Sequence, residues 1–217
     1  MLTALSIRDI VLIEKLDISL EKGLTVLTGD LSESTSQLSE LVPLIRATAG
    51  RAGTIITMGN WEYAVGITVA DMERTASAAG AELLCNRSWL LRRDGATLAL
   101  AGLDDPRDGA PDPASALRNV PSDATVAWAF HAPGYADQLR SLPFPPPAFM
   151  LAGHTHGGQI RIPLVPAITP RASGRFVGGW YHDTFAPLFV NRGVGTSGIR
   201  ARFRCPPEVA LFTLRRA

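Results

Sequence analysis

The chain predicts a layered α/β fold, and three observations carry that prediction. Short apolar runs rich in Val, Ile, Leu and Phe alternate with stretches of helical periodicity along its 217 residues. A composition of 46% hydrophobic and 19% charged residues supplies a real core and excludes a disordered or collagen-like chain. Four predicted strands end in a polar residue able to bind metal, namely Asp30, Asn60, His131 and His154. In open α/β sheets ligands gather at the carboxyl ends of strands, so four such endings predict one site.

Taken in order, residues 24–28 read as a strand ending at Gly29-Asp30. A helix over 33–49 follows, with Ser32 as its N-cap and Leu38, Leu41, Leu44 and Ile45 at helical spacing before Gly50. A strand at 54–58 ends at Gly59-Asn60, and 65–79 reads as a helix closed by Gly80. Strands at 82–85, 89–93 and 97–101 come next, the last two joined by an Asp94-Gly95 turn. Residues 104–112, rich in Asp, Pro and Gly, form a surface loop. The strand 124–130 runs straight into His131, and 148–152 runs into Gly153-His154, after a stiff Pro-rich stretch at 143–147. Beyond Gln159, Pro and Gly separate further strands, notably 188–191 and 209–214, which predicts a β-rich carboxyl half.

Charge and targeting signals exclude several function classes. A net charge of +1, from 21 basic and 20 acidic residues, gives no bulk attraction for nucleic acid. No apolar run approaches the roughly 18 residues of a membrane-spanning helix, and the opening residues alternate charged and apolar side chains rather than forming a secretory signal. Cys85 and Cys205 are isolated and read as buried thiols in a reducing compartment. The expected location is therefore the cytoplasm, with peripheral membrane attachment as a variant. One skew stands out. The only two lysines, Lys15 and Lys22, fall in the first 22 residues, and every other basic residue is Arg. That break suggests a different origin for the amino end.

Two of the four histidines sit in Gly153-His154-Thr155-His156-Gly157-Gly158-Gln159. A His-x-His pair flanked by glycines and directly following a buried strand can aim both imidazoles at one ligand while the backbone passes close by. Here the sequence resembles the calcineurin-like metallophosphoesterases, most closely the YkuE-like branch, which includes relatives acting on UDP-diacylglucosamine. The resemblance spans about residues 24–214. It rests on Thr28-Gly29-Asp30, Gly59-Asn60 followed by Glu62, Ala101-Gly102-Leu103-Asp104-Asp105, His131, the 153–159 motif, and the ending Leu188-Phe189-Val190-Asn191-Arg192-Gly193-Val194-Gly195-Thr196.

That resemblance implies an α/β/β/α sandwich of two sheets flanked by helices, with a two-metal site at the strand ends. It implies Asp30 as a carboxylate bridging both metals, Asn60, His131 and His154 completing one site, and His156 serving the other. Neutral imidazoles suit Mn, Fe, Zn or Ni. Two such divalent metal ions activate water for in-line attack on phosphorus, so the implied reaction is hydrolysis of a phosphoester, as a small molecule or a nucleotide-linked lipid. Trp61, Glu62 and Arg192 are the candidate substrate contacts.

Two departures from the family pattern predict impaired turnover. The family opens with Asp-x-His at the end of its first strand, and no histidine precedes His131 here. Asp9 is the nearest substitute carboxylate. Trp61 stands where the family has a His that contacts the scissile phosphate, and an indole cannot pass a proton near neutral pH. The segment 1–29 instead resembles the opening of the bacterial DNA-repair ATPase RecN, where Gly-Leu-Thr-Val-Leu-Thr-Gly leads into a P-loop. Here Gly29-Asp30-Leu31-Ser32-Glu33 follows, without GxxxxGK[ST]. The expected organisation is a RecN-like segment at 1–29 joined to a metallophosphoesterase domain at 24–217 that lacks the usual first strand and helix. Three functional expectations result: a metal-dependent hydrolase, an inactive metal-binding descendant, and a RecN-like DNA-repair fragment.

Overall fold

The structure, a computed structural model, describes residues 5–7, 16–18 and 23–214. Asp9, Lys15 and Lys22 lie outside the described residues. Strands β1 (Leu5–Ile7) and β2 (Leu16–Ile18) pair antiparallel as a two-stranded sheet of their own.

A three-stranded parallel sheet contains β3 (Leu24–Thr28), β4 (Gly53–Thr57) and β5 (Glu82–Leu83). A six-stranded mixed sheet contains β6 (Arg87–Arg93), β7 (Ala96–Gly102), β8 (Thr125–Ala129), β9 (Phe149–Ala152), β10 (Gly179–Tyr181) and β11 (Leu188–Val190) in the order β10-β11-β9-β8-β7-β6. Its central strands β7, β8, β9 and β11 run parallel. The helices are α1 (Leu38–Ala47), α2 (Asn60–Ala64), α3 (Val69–Ala79), α4 (Pro113–Leu117) and α5 (Tyr135–Leu139).

The period-two alternation of the strands explains the layering. On β8, Ala127 and Ala129 turn toward Ile55, Leu84 and Leu100, in an apolar layer between the two sheets. The intervening Trp128 points the other way, into a cluster with Phe130, Met150, Leu188, Ala116 of α4 and Leu139 of α5. On the far side, Leu41 and Ile45 of α1 and Met72 and Ala76 of α3 cover Ile56 and Met58. The result is the expected α/β/β/α sandwich. Small alanines where the sheets face each other let the sheets approach, and the large side chains point outward to meet the helices.

Several expectations about elements need correcting. The helix foreseen over 33–49 starts later: Ser34 caps a 3-10 turn at Thr35–Gln37 by accepting from Ser36 N, and α1 then runs over Leu38–Ala47. Ser32 instead donates to the Ser34 carbonyl. The helix foreseen over 65–79 starts later, as α3 at Val69: Gly66 takes a left-handed φ of 78° and a Thr68–Asp71 capping box opens the helix, while the turn before it belongs to the separate α2. No strand forms over 209–214. That segment finds no sheet neighbour, and Phe212 packs edge-on against Trp180 and Phe189. Cys85 is only partly buried, whereas Cys205 is buried. Among the described residues, no helix is long and apolar enough to cross a membrane.

Candidate metal centre

The two paired strand ends β3/β4 and β8/β9 meet at one edge of the sandwich. There the turns are tight enough to need glycine. A Cβ on Gly29, whose φ is 76°, would lie 2.6 Å from the Gly59 backbone, and one on Gly59 would lie 2.3 Å from Asp30 N. This close approach sets Asp30 beside Asn60. The turn is held from behind by Glu62, fully buried, whose carboxylate accepts from the backbone N–H groups of Asp30 (3.0 Å), Leu31 (2.6 Å), Ser32 (3.2 Å) and Gly59 (2.9 Å). Glu62 therefore faces the backbone and not the pocket, which corrects its expected place as a substrate contact.

Asp30, His131 and His154 offer ligand atoms that all lie within 4.8 Å of one another. Asp30 Oδ1 accepts from Trp61 N at 2.8 Å, which turns Oδ2 toward His131 Nε2 at 3.0 Å. His154 Nδ1 lies 3.1 Å from His131 Nε2. The Asn60 side-chain amide completes the group, its inner atom 3.3 Å from His131 Nε2 and 2.9 Å from His154 Nδ1. Each imidazole is anchored through its other nitrogen, His131 Nδ1 on the Thr28 carbonyl and His154 Nε2 on the Arg171 carbonyl. On His154 the outer bond places the ring proton outside and leaves Nδ1 as a lone pair, whereas His131 Nε2 faces the Asp30 carboxylate, where a bound metal ion would replace its proton. Turned with its nitrogen inward the amide donates to both imidazoles, and turned with its oxygen inward it joins them as a ligand to a cation. Ligand bonds of about 2.1 Å place neighbouring octahedral donors about 3 Å apart, which matches these separations. The donor set fits a divalent metal ion.

The electrostatics couple the same groups. Burial opposes charge on Asp30, but His131 and the Trp61 N–H outweigh it and hold the carboxyl below its usual range. Burial likewise opposes charge on His131, but Asp30 beside it overrides that and lifts the imidazole to about 9. His154, buried and next to His131, is pushed down to about 4 and stays neutral. Asp30 and His154, like His156, hold left-handed backbone angles, with φ of 54°, 68° and 50°. Strain of this kind persists only where surroundings enforce it, and it clusters at functional sites.

Asp30, Asn60 and His154 line one pocket of about 150 Å³ together with Trp61, Arg107, His156, Pro170 and Ser197. His156 does not join the three-residue cluster, but it borders the same space and its Nδ1 is buried without a partner. Trp61 donates its indole N–H to Ser197 Oγ at 3.2 Å, so it forms part of the wall. Arg192 does not line the pocket. Its backbone N–H donates to Glu208, and its guanidinium lies 4.0 Å from the same carboxylate. Arg107 is the residue the sequence reading missed: its Nη1 lies 3.2 Å from the Asn60 amide. A larger hollow of about 370 Å³ opens at the other end of β8, lined by Leu117, Trp128 and prolines and holding no titratable side chain.

No family model matches the chain. Individual relatives do. The metallophosphoesterase YkuE of Bacillus subtilis is 30% identical over 197 residues, covering 88% of this chain and 68% of the relative. The chain belongs to the metallophosphoesterase family. This metallophosphoesterase is also 30% identical over 205 residues to the phosphodiesterase YaeI of Escherichia coli, covering 92% of this chain and 73% of that protein. A Danio rerio transmembrane protein with a metallophosphoesterase domain is 28% identical over 214 residues, 91% of this chain and 47% of its own. Family membership carries divalent metal use with it, and in this metallophosphoesterase the fitting donor set is the one at the β3, β4, β8 and β9 ends.

Proposed function

We propose that the chain is a slow metal-dependent phosphodiesterase that holds one divalent ion through Asp30, Asn60, His131 and His154. The observation that carries this reading is the convergence of Asp30, His131 and His154, whose ligand atoms all lie within 4.8 Å of one another, with the Asn60 amide beside them. The similarity to a phosphodiesterase supports the reaction class. A cation held there supplies Lewis-acid charge to a phosphoryl oxygen and acidity to water.

The remaining work falls to the chain. Asp30 Oδ1 is fixed by the Trp61 N–H, so Oδ2 stays aimed inward. Arg107, at the pocket edge, is placed to pair with a non-bridging phosphoryl oxygen. His156 and the shared Asp30 are what supports a second ion, and without Asp-x-His we infer that this second site is weak. Trp61 binds Ser197 and has no proton to give, so the leaving oxygen must be protonated by water. A substrate with a good leaving group is therefore favoured, such as a pyrophosphate within a nucleotide-linked lipid. A second reading, an inactive metal-binding descendant, is favoured by that same Trp61–Ser197 contact.

Metal content of the purified protein, measured with bis-p-nitrophenyl phosphate turnover in Mn²⁺, separates the two. Bound metal with slow, metal-dependent turnover supports the hydrolase. One bound metal with no turnover supports the descendant, and no bound metal contradicts both.

A further inference from the structure

The near-zero net charge conceals a strong segregation. Between Asp137 and Glu208 the sequence carries eight arginines and a single acid, Asp183, so the rest of the chain is acidic. This basic segment includes two loops that lie side by side, since Arg161 N donates to the Phe203 carbonyl and Phe203 N donates to the Gln159 carbonyl. Both carry large apolar side chains into solvent. Leu164 is fully exposed at 105%, Ile168 stands at 78% and Ile199 at 65%, with Ile162, Val165 and Phe203 about half exposed. Arg161, Arg171, Arg200 and Arg204 are exposed around them, and none of the four forms a salt bridge among the described residues.

Exposed apolar side chains normally scatter singly, so a cluster of six calls for a partner. The chemistry of the collar selects it. Apolar tips ringed by unpaired guanidiniums match a surface that is anionic outside and hydrocarbon inside. A protein partner or a second copy of this chain would need its own acidic rim at that spacing, and this face offers itself none.

The patch also joins the metal centre physically. Pro170, at the end of the first loop, lines the pocket, and the Arg171 carbonyl anchors His154. In the second loop, Gln159 holds the Ser197 and Ile199 carbonyls through its amide, and Ser197 lines the pocket as well. The geometry points to an interfacial docking surface: the loops over 160–171 and 197–204 seat on an anionic lipid bilayer with the pocket mouth at its edge. This deepens the proposed function, on which it rests, by placing the phosphoester substrate among lipid headgroups.

The test is flotation of the full chain with vesicles of phosphatidylcholine alone and of phosphatidylcholine mixed with phosphatidylglycerol. The protein is expected on the mixed vesicles only, and to be released by high salt. The double variant L164S/I168S is expected to lose about tenfold or more in vesicle affinity, while R161A/R200A is expected to be released from the mixed vesicles at lower salt than wild type. Hydrolysis of soluble bis-p-nitrophenyl phosphate reads the metal centre separately and is expected to be unchanged in L164S/I168S. A wild-type chain that floats but does not turn over keeps this surface and overturns the hydrolase. Absence from mixed vesicles overturns the surface, as do equal binding to neutral vesicles and a wild-type dimer that L164S/I168S converts to monomer.

Discussion

His131 and His154 carry their function through the bonds they make away from the pocket. Anchored on the Thr28 and Arg171 carbonyls, they present their inner nitrogens to the pocket, and the Asn60 amide reaches the same point. These three residues and Asp30 were legible in the sequence because each directly follows an apolar strand. Arg107 was not, because it lies in an Asp- and Pro-rich loop whose local pattern says only that it is exposed. Removing its charge-assisted contact with phosphate is expected to cost about 1.5–3 kcal/mol. Arg107→Ala should therefore weaken competitive inhibition by inorganic phosphate about tenfold or more while metal affinity stays unchanged. Trp61→His restores a proton donor where the indole has none, and phosphodiesterase turnover with Mn²⁺ is expected to rise by about tenfold or more. No gain in a metal-loaded sample would contradict that assignment. Asp105 makes a different prediction. Burial raises its carboxyl to about 6, so the folded state holds a proton that the unfolded state releases near 4. Its contribution to stability is greatest below pH about 4 and is lost as pH rises through about 6. Stability of Asp105→Asn measured against wild type should therefore improve by about 2–3 kcal/mol across that window and then level off.

At the scale of elements, the β3 and β4 turns depend on α2 as much as on their own glycines. Glu62, in the first turn of α2, satisfies four buried N–H groups of the two turns. Glu62→Ala leaves those donors without a partner and is expected to destabilise by about 3 kcal/mol or more. In a chain of this size that lowers Tm by about 6–12 °C, and metal affinity should fall with it. Glu62→Gln, which keeps one acceptor oxygen, should fall between. Glu62 could be found in the sequence, but its direction could not, since the motif gives its spacing from Asn60 and not which way a helix of five residues turns. The same limit explains the other departures. The sequence does carry the Thr68-Val69-Ala70-Asp71 box that delays the start of α3 to Val69. The apolar run at 209–214 alternates like a strand, yet pairing needs a neighbour, and β10 already offers its surface to Phe212 through Trp180. Helices α4 and α5, at five residues each, are too short to give a periodic signal.

For the whole molecule, the sandwich brings the carboxyl ends of parallel strands from two different sheets to one place. The layer of alanines between the sheets permits that convergence, because bulkier side chains at Ala127 and Ala129 would push the β3/β4 pair away from the β8/β9 pair. The fold class and the four strand endings were readable because both depend on local pattern. The arginine segregation lies along one stretch of the sequence, but that its apolar loops share one surface emerges only when distant segments are set side by side. The account rests on the claim that these four strand ends form a metal site. Calorimetric titration of Mn²⁺ into wild type and His154→Ala tests it most directly: stoichiometric binding by wild type, weakened by about a hundredfold or more in the variant, is the predicted result. Equal binding by the two proteins, or none by wild type, would contradict it.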